Sequence, residues 1–274
     1  MTKSPSTLGP AFVAPKHFFI LSLTEPLTDY LNGVEFVWSI LDHLGDWIKA
    51  LIKPNVAALR LKGGFIETAL ALKDNQIGPA EYNLDGKGGY PEVFVGGEKW
   101  PDAALILPGA FIADGQVEIG PGVVIESGAF VKGPTILGPK TQVRQGAYVR
   151  GQVYCLGHNV VGHATEAKNV LFLSEAKAGH FAYLGDSVLG AAVNLGAGTK
   201  LANLKMDDKA IGFKVQSHLI VLSRRKLGAI IGDHAETGCN SVTSPGALLG
   251  PGSRLAPNAT AKAGFYPPFS RIGF

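Results

Sequence analysis

Aliphatic residues recur at every sixth position through much of the chain. The first run comprises Ile119, Ile125, Val131, Leu137, Val143, Val149, Cys155 and Val161. The same spacing returns at Leu189, Leu195 and Leu201, and again within residues 231–255. The position four residues after each aliphatic residue is mostly small or β-branched, and glycine often follows the aliphatic residue directly. A period of six fits neither the 3.6 of a helix nor the 2 of a continuous strand.

Such a period is typical of a coil with three flat sides, each of which is a short strand. The aliphatic residue points inward and stacks on its equivalent in the next coil, while the small residue fits the corner. The pattern therefore predicts a mainly β fold, a left-handed parallel β-helix of the trimeric hexapeptide-repeat type. We place this domain at residues 101–262. Its left-handed coil would be an exception to the right-handed crossover rule.

The flanking segments follow other patterns. Residues 28–53 carry large apolar side chains, including Trp38 and Trp47, at helical spacing. That spacing predicts a helix that packs on the coil or on a second subunit. Residues 54–100 lack such a pattern, so we predict an N-terminal helical and irregular segment over residues 1–100. We expect residues 263–274 to be a short C-terminal tail.

Composition excludes several classes of function. The net charge of +3 is too small to indicate nucleic-acid binding, and no run of 18 apolar residues indicates a membrane span. The two cysteines form neither a disulfide framework nor a zinc motif, and we find no signal peptide, which together favour the cytoplasm. The glycine-rich loops of nucleotide-binding domains do not occur before the coil.

The repeat is interrupted at two places. The first is EAKNVLFLSEAKAGHFAYLGD at residues 166–186, and the second is a longer insertion, the loop 202–228, which contains Arg224, Arg225 and Lys226. Departures from a solenoid repeat usually form loops on the binding face. We therefore expect the functional site near these two interruptions.

At the first interruption the sequence resembles a known family. Residues 162–203 contain E-x-K-N, K-A-x-H-x-x-Y-x-G-D and V-N-x-G-A-G-T in that order. These motifs are similar to the acetyltransferase half of the bacterial bifunctional N-acetylglucosamine-1-phosphate uridyltransferase/glucosamine-1-phosphate acetyltransferase, and the resemblance extends over roughly residues 105–260. It implies acetyl transfer from acetyl-CoA to an amino sugar phosphate, such as glucosamine-1-phosphate, or to a related sugar nucleotide. It also implies a homotrimer with active sites between subunits and no metal.

The resemblance assigns roles to individual residues. His180 is the expected general base, and histidine suits this role because its charge changes near neutral pH. The residues expected to bind the sugar and its phosphate are Arg150, Glu166, Lys168, Tyr183, Asn194 and Lys226. The residues expected near acetyl-CoA are Ala197, Asn203 and Cys239.

Two features differ from the family and leave alternatives open. About a hundred residues precede the coil, without a nucleotide-binding loop, so we expect no uridyltransferase domain. The inserted loop 202–228 replaces a short turn of the family. One alternative is a non-catalytic scaffold that binds sugar nucleotides. Another is a zinc protein that resembles the γ-type carbonic anhydrases, because His158 and His163 stand five residues apart as in that family.

Overall fold

The computed structural model describes residues 13–20, 26–60, 63–83, 90–207, 209–215 and 218–274. Within these residues the chain forms a three-sided parallel β-solenoid of about nine turns. The predicted N-terminal segment and the predicted inserted loop each include some residues outside the described set.

Each coil passes through three short strands, one on each of three faces, and we number the strands in chain order. Face A consists of β6 (Ala104–Ile106), β9 (Val124–Ile125), β12 (Gln142–Val143), β15 (Val160–His163), β17 (Lys177–His180), β19 (Asn194–Leu195), β24 (Glu236–Thr237), β27 (Arg254–Leu255) and β30 (Arg271–Ile272). Face B consists of β7 (Phe111–Ile112), β10 (Phe130–Val131), β13 (Tyr148–Val149), the first halves of β16 (Glu166–Phe172) and β18 (Tyr183–Leu189), β20 (Lys200–Leu201), β25 (Val242–Thr243) and β28 (Thr260–Ala261). Face C consists of β8 (Val117–Ile119), β11 (Thr135–Leu137), β14 (Val153–Cys155), the second halves of β16 and β18, β23 (Ala229–Ile231), β26 (Ala247–Leu249) and β29 (Gly264–Tyr266).

The repeat positions form a stacked aliphatic column inside the solenoid. Ile125, Val143 and Val161 are fully buried and are register partners on successive coils. Burying one such side chain contributes about 1.5–3 kcal/mol. The predicted mainly β solenoid is confirmed, and its six-residue sides agree with a left-handed β-helix.

The predicted repeat loses its phase where the coils become one residue shorter. Val149 pairs with Ala167, 18 residues further on (167 minus 149), whereas Ala167 pairs with Leu184, 17 residues further on (184 minus 167). In β16 and β18 the chain turns the corner between faces B and C inside one continuous strand, at Asn169 and Asp186, with φ of 55° and 46°. The first interruption is therefore a tighter corner rather than a protruding loop.

Face C carries apolar side chains that point outward. They are Ile136, Tyr154, Leu171, Val188, Ile230, Leu248 and Phe265. These side chains cluster with the N-terminal segment, which contains α1 (Leu27–Asn32), α2 (Ile40–Leu51) and 3-10 helices at Pro15–His17 and Val37–Ser39. The helix predicted over residues 28–53 is thus two α-helices, since α1 ends at Asn32 with Gly33 as its C-cap. Together these helices cover face C of the solenoid.

The inserted loop leaves and rejoins the solenoid at the corner between faces B and C. A bridge between Leu204 and Lys226 closes its base, and β21 (Gly212–Val215) pairs with β22 (His218–Val221) in a hairpin. The Phe213 ring lies edge-on to Trp38 with centroids 5.5 Å apart, and Arg224 Nη1 donates to the Trp38 carbonyl at 2.9 Å. The loop is therefore held by the N-terminal segment.

The segments on either side of the predicted solenoid domain are more ordered than the sequence indicates. The described parts of this segment, residues 54–60, 63–83 and 90–100, contain a 3-10 helix at Ala58–Arg60 and five strands, β1 (Leu70–Lys73), β2 (Gln76–Pro79), β3 (Glu81–Asn83), β4 (Glu92–Val95) and β5 (Glu98–Lys99). The β1–β2 hairpin extends face A, and β3–β5 form a separate small sheet. Strands β29 and β30 lie in the predicted C-terminal tail and complete the last coil. No helix among the described residues is long and apolar enough to cross a membrane.

Candidate active site

Two parallel columns of outward side chains run along face B. The first column contains the register partners Phe111, Phe130, Tyr148, Glu166, Tyr183 and Lys200. The second column lies two residues later on the same coils and contains Lys132, Arg150, Lys168 and Gly185. Side chains two residues apart lie on the same side of a strand, and adjacent strands are about 4.8 Å apart. The two columns therefore form one surface, which we call the face B strip.

An ion pair lies at the middle of this strip. Arg150 Nη1 donates to Glu166 Oε1 at 2.6 Å, and the guanidinium lies 5.8 Å from the centroid of the Tyr148 ring. Donating this hydrogen bond to Glu166 raises the pKa of Arg150, so the guanidinium keeps its charge. The side chains of Arg150 and Glu166 are 39% and 33% exposed, which leaves both accessible to a ligand.

A polar network lies beside the ion pair, at the corner between faces B and C. Asn169 and Asn203 each donate an amide hydrogen to the Asp186 carboxylate, at 2.8 Å and 2.5 Å. The Tyr183 hydroxyl donates to Asn203 Oδ1 at 3.3 Å. Burial, and secondarily two nearby carboxylates, raise the pKa of Tyr183, so its phenol stays protonated and can act as a donor.

His180 lies at the opposite edge of face B, on the corner with face A. It is exposed, and its ring stacks on that of His163 in the preceding coil, with centroids 5.7 Å apart. A side chain at Gly162 would place its Cβ 1.8 Å from the Gly179 carbonyl oxygen, so glycine is required for this close contact between coils.

The residues expected near acetyl-CoA partly follow His180 along this corner. The Gly198 N–H donates to the His180 carbonyl, and the Asn240 N–H donates to the Ala197 carbonyl. His180, Ala197 and Cys239 therefore occupy equivalent positions on successive coils. Asn203 lies instead in the network at the other corner.

Asn194 and Lys226 lie in two further places. Asn194 is exposed on face A, where it pairs in register with Lys177 and Glu236. Lys226 reaches the corner between faces B and C because the inserted loop returns there. It lines a shallow depression of about 520 Å³ together with Asp186, Leu204, Arg224 and Arg225.

The structure therefore brings most of the predicted residues to one side of the solenoid. Arg150, Glu166, Lys168 and Tyr183 lie on the face B strip, with Asn203 and Lys226 at the adjoining corner. His180 precedes Tyr183 by three residues but lies across the width of face B, and Asn194 is on another face. Within one chain the predicted base and the predicted sugar-binding residues are neighbouring groups rather than one pocket.

Two features of this surface are absent from the sequence-based prediction. Asp186 links the two asparagines of the corner network, and Phe130 and Tyr148 continue the Glu166 column as aromatic rings. The signal for the second feature was available, because both rings occupy the same place in the repeat as Glu166.

His158 and His163, the two histidines that suggest a zinc site in the sequence, lie at opposite ends of the face A side of one coil. The His158 N–H donates to the Pro139 carbonyl at the corner between faces C and A, while His163 lies at the corner between faces A and B. They are five residue steps apart, roughly 16 Å along an extended chain. Among the described residues no group of three histidine, cysteine, aspartate or glutamate side chains could hold a metal ion.

Comparison with known proteins finds relatives that share the repeat region. The chain is 42% identical over 101 residues to a bifunctional sugar-1-phosphate nucleotidylyltransferase/acetyltransferase of Sulfurisphaera tokodaii, a match of 37% of this chain and 25% of the relative. It is 40% identical over 97 residues to the bifunctional protein GlmU of Methanococcus maripaludis, 35% of this chain and 23% of the relative. It is 36% identical over 143 residues to YaiX of Escherichia coli K12, named as an uncharacterised acetyltransferase, 52% of this chain and 62% of the relative.

These matches confirm the resemblance found in the sequence. They cover only the acetyltransferase-like part of the bifunctional proteins. The chain spans about a quarter of the length of the first two relatives. No protein-family model matches the chain.

Proposed function

We propose that the chain is an acyltransferase that moves an acetyl group from acetyl-CoA to the amine of an amino sugar phosphate, such as glucosamine-1-phosphate, or of a related sugar nucleotide. The observation that carries this proposal is the exposed His180 at one edge of a strip that holds Arg150, Glu166 and Tyr183. The similarity to named acetyltransferases supports the same chemistry.

The proposed reaction uses His180 as a general base. His180 accepts a proton as the amine nitrogen attacks the thioester carbonyl; the nitrogen–carbon bond forms and the carbon–sulfur bond breaks. The coenzyme thiolate then leaves and is protonated. The oxyanion needs a hydrogen-bond donor. In the adjacent turn, the N–H groups of Gly196 and Gly198 already donate to Thr237 and His180, so Ala197 N–H suits that role best.

The proposed acceptor site uses the fixed charges of the face B strip. A guanidinium can donate two hydrogen bonds to a phosphate group, and Arg150 is held in place by Glu166 and Tyr148. Lys168 supplies a second positive charge one coil further on. The Tyr183 hydroxyl oxygen would accept from a sugar hydroxyl, and the Asn203 amide hydrogen that does not bind Asp186 would donate to one.

We further propose a cytoplasmic homotrimer whose sites are completed between subunits. Asn194 lies on face A and the ion pair lies on face B, so a pocket that uses both is most simply closed by a second copy. The unpaired state of both cysteines supports a reducing compartment. We propose no bound metal.

Release of free thiol from acetyl-CoA tests the proposed activity. The acceptors are glucosamine-1-phosphate and a small panel of amino sugars and sugar nucleotides. Loss of a general base lowers turnover by about 10²–10⁴-fold, which is the effect we expect for His180→Ala. The matched control is His43→Ala, because His43 is exposed on α2, away from the strip.

Two outcomes would contradict the proposal. An active His180→Ala variant would exclude the assigned base. Binding of acetyl-CoA and acceptor by the unmodified chain without thiol release would favour the non-catalytic scaffold.

A further inference from the structure

Face B carries aromatic rings beyond the proposed sugar site, of which Phe65 and Tyr148 are exposed and Phe111 and Phe130 are half-buried. The Phe111 and Phe130 rings are stacked, with centroids 5.0 Å apart and planes 6° apart, and the Phe130 ring lies edge-on to Tyr148 at 5.4 Å. Tyr148 is 43% exposed, and Phe65, bridged to Phe111, is 51% exposed. Large aromatic side chains usually lose more of their surface on folding. These rings therefore form an apolar platform that faces solvent.

A row of cations runs alongside the aromatic rings. Lys132 follows Phe130 by two residues, and Arg150 follows Tyr148 by two residues. The Phe130 and Tyr148 rings therefore each have a cation beside them on the same coil. Lys168 continues the row one coil further, next to Glu166. The arrangement places flat apolar surface and phosphate-binding charge within one strip.

From this arrangement we infer that the acceptor is a nucleoside-diphosphate-linked amino sugar rather than a simple sugar phosphate. The base stacks on Tyr148, with the Phe130 ring edge-on beside it, and the diphosphate contacts Arg150 and Lys168. The sugar extends toward Tyr183, which places its amine on the coil that also carries His180. The inference rests on the proposed acyl transfer for the identity of the transferred group. The nucleotide site itself does not depend on that proposal.

The dimensions of the strip suit such a ligand. Phe130 and Tyr183 are separated by three coil steps, about 14 Å at the usual strand spacing, which is close to the length of an extended nucleotide sugar. Aromatic side chains stack on any base, because every base presents a π face. Arginine binds phosphate through two parallel hydrogen bonds.

The other two faces do not offer this combination. Face C is covered by the N-terminal segment and the inserted loop. The outward column of face A, over its later coils, contains Lys177, Asn194, Glu236 and Arg254, without an aromatic ring. Two other exposed rings among the described residues lie beside a cation, Tyr90 beside Lys140 and Phe274 beside Arg271, but only face B repeats the pairing on successive coils of the described solenoid.

Acetyl-CoA also contains a nucleotide with phosphates, so aromatic rings beside cations suit the coenzyme as well as a nucleotide-linked acceptor. We assign the strip to the acceptor, because its cationic row runs beside Glu166 and Tyr183, which are both expected to bind the sugar and its phosphate. Ala197 and Cys239, which are expected near the coenzyme, lie instead on the corner that carries His180.

Calorimetric titration without acyl-CoA tests the nucleotide site. The probes are uridine diphosphate and inorganic pyrophosphate, and the variant is Tyr148→Ala. We expect the variant to bind uridine diphosphate at least about tenfold more weakly, because one stacking partner is lost, and to bind pyrophosphate within about twofold of the unmodified chain. The matched control is Tyr82→Ala, since Tyr82 is 37% exposed on the small sheet.

Three results would overturn the inference. The first is no detectable binding of uridine diphosphate, and the second is equal affinity in the Tyr148→Ala variant. The third is competition between coenzyme A and uridine diphosphate together with a raised KM for acetyl-CoA in this variant, which would assign the strip to the coenzyme. Tyr148-dependent nucleotide binding without thiol release would instead retain the site and refute the acyltransferase proposal.

Discussion

Gly185 stands where any side chain would collide with two residues of the candidate site. A Cβ at this position would lie 2.5 Å from Asn203 Nδ2 and 2.8 Å from the Tyr183 hydroxyl oxygen. Contacts this short require the neighbouring side chains to move. The glycine thus keeps the hydrogen bond between Tyr183 and Asn203 in place.

The Gly185→Ala variant tests this role. We expect it to displace both side chains and to raise the KM for the acceptor by about 2- to 12-fold, the effect of one typical hydrogen bond. The KM for acetyl-CoA should stay unchanged, because His180 and Ala197 lie on the other corner. Gly115→Ala is the control, since its Cβ would meet only Arg60 Nη1 at an ordinary 3.8 Å. Equal acceptor KM values in the two variants would show that the Tyr183–Asn203 contact does not serve binding.

At the scale of elements, the six-residue repeat predicts the inward positions because one buried residue per side is a strict requirement of a closed coil. It could not predict the shape of the first interruption. At Asn169 the corner contains one residue fewer, so the inward positions that follow no longer keep the six-residue spacing. The inward side chains on both sides of the corner are still buried. The sequence pattern does not predict strand β3 for a different reason: all three of its residues are exposed, so no alternation of polar and apolar residues marks it.

The sequence identifies the site less completely than the coil. Its motifs select His180 and the residues of the face B strip, but they do not place Lys226, because the route of an inserted loop depends on its packing against the N-terminal segment. Nor do the motifs show that His180 lies at one corner of face B and Asn203 at the other. Which corner a residue occupies depends on the number of residues in each turn of the solenoid.

Helix α2 is expected to depend on its buried side for docking. Ile48 is fully buried against face C, so Ile48→Ala should destabilise the chain by about 2–5 kcal/mol through lost burial and the remaining cavity. Asp46→Ala on the same helix is the control, because the Asp46 side chain is 81% exposed and its ion pair with Lys49 is on the surface. Urea unfolding measures both variants. Similar midpoints for the two would show that α2 does not contribute to the folded core.

For the whole molecule, the proposed trimer predicts that two inactive variants can complement each other. His180→Ala and Asn194→Ala should each lose activity while keeping a mass of three times the 28.7 kDa chain. Mixed trimers, formed by unfolding and refolding the two variants together, should regain part of the activity if the residues come from different copies. Light scattering measures the mass, and thiol release measures the activity. A mixture no more active than either variant alone would place both residues in one subunit or outside the site.

The covering of face C also sets an order for biosynthesis. The Phe18 carbonyl accepts a hydrogen bond from Asp233 N–H, and the Phe18 ring packs against Phe265. A ribosome adds about 5–20 residues each second, so these partners emerge on the order of tens of seconds after Phe18. Until then, Phe18 lacks these two partners, although the earlier coils already supply Tyr154 and Leu171 to the helices. Nascent chains of this protein should therefore expose apolar surface at the N-terminal segment for longer than a solenoid without that segment.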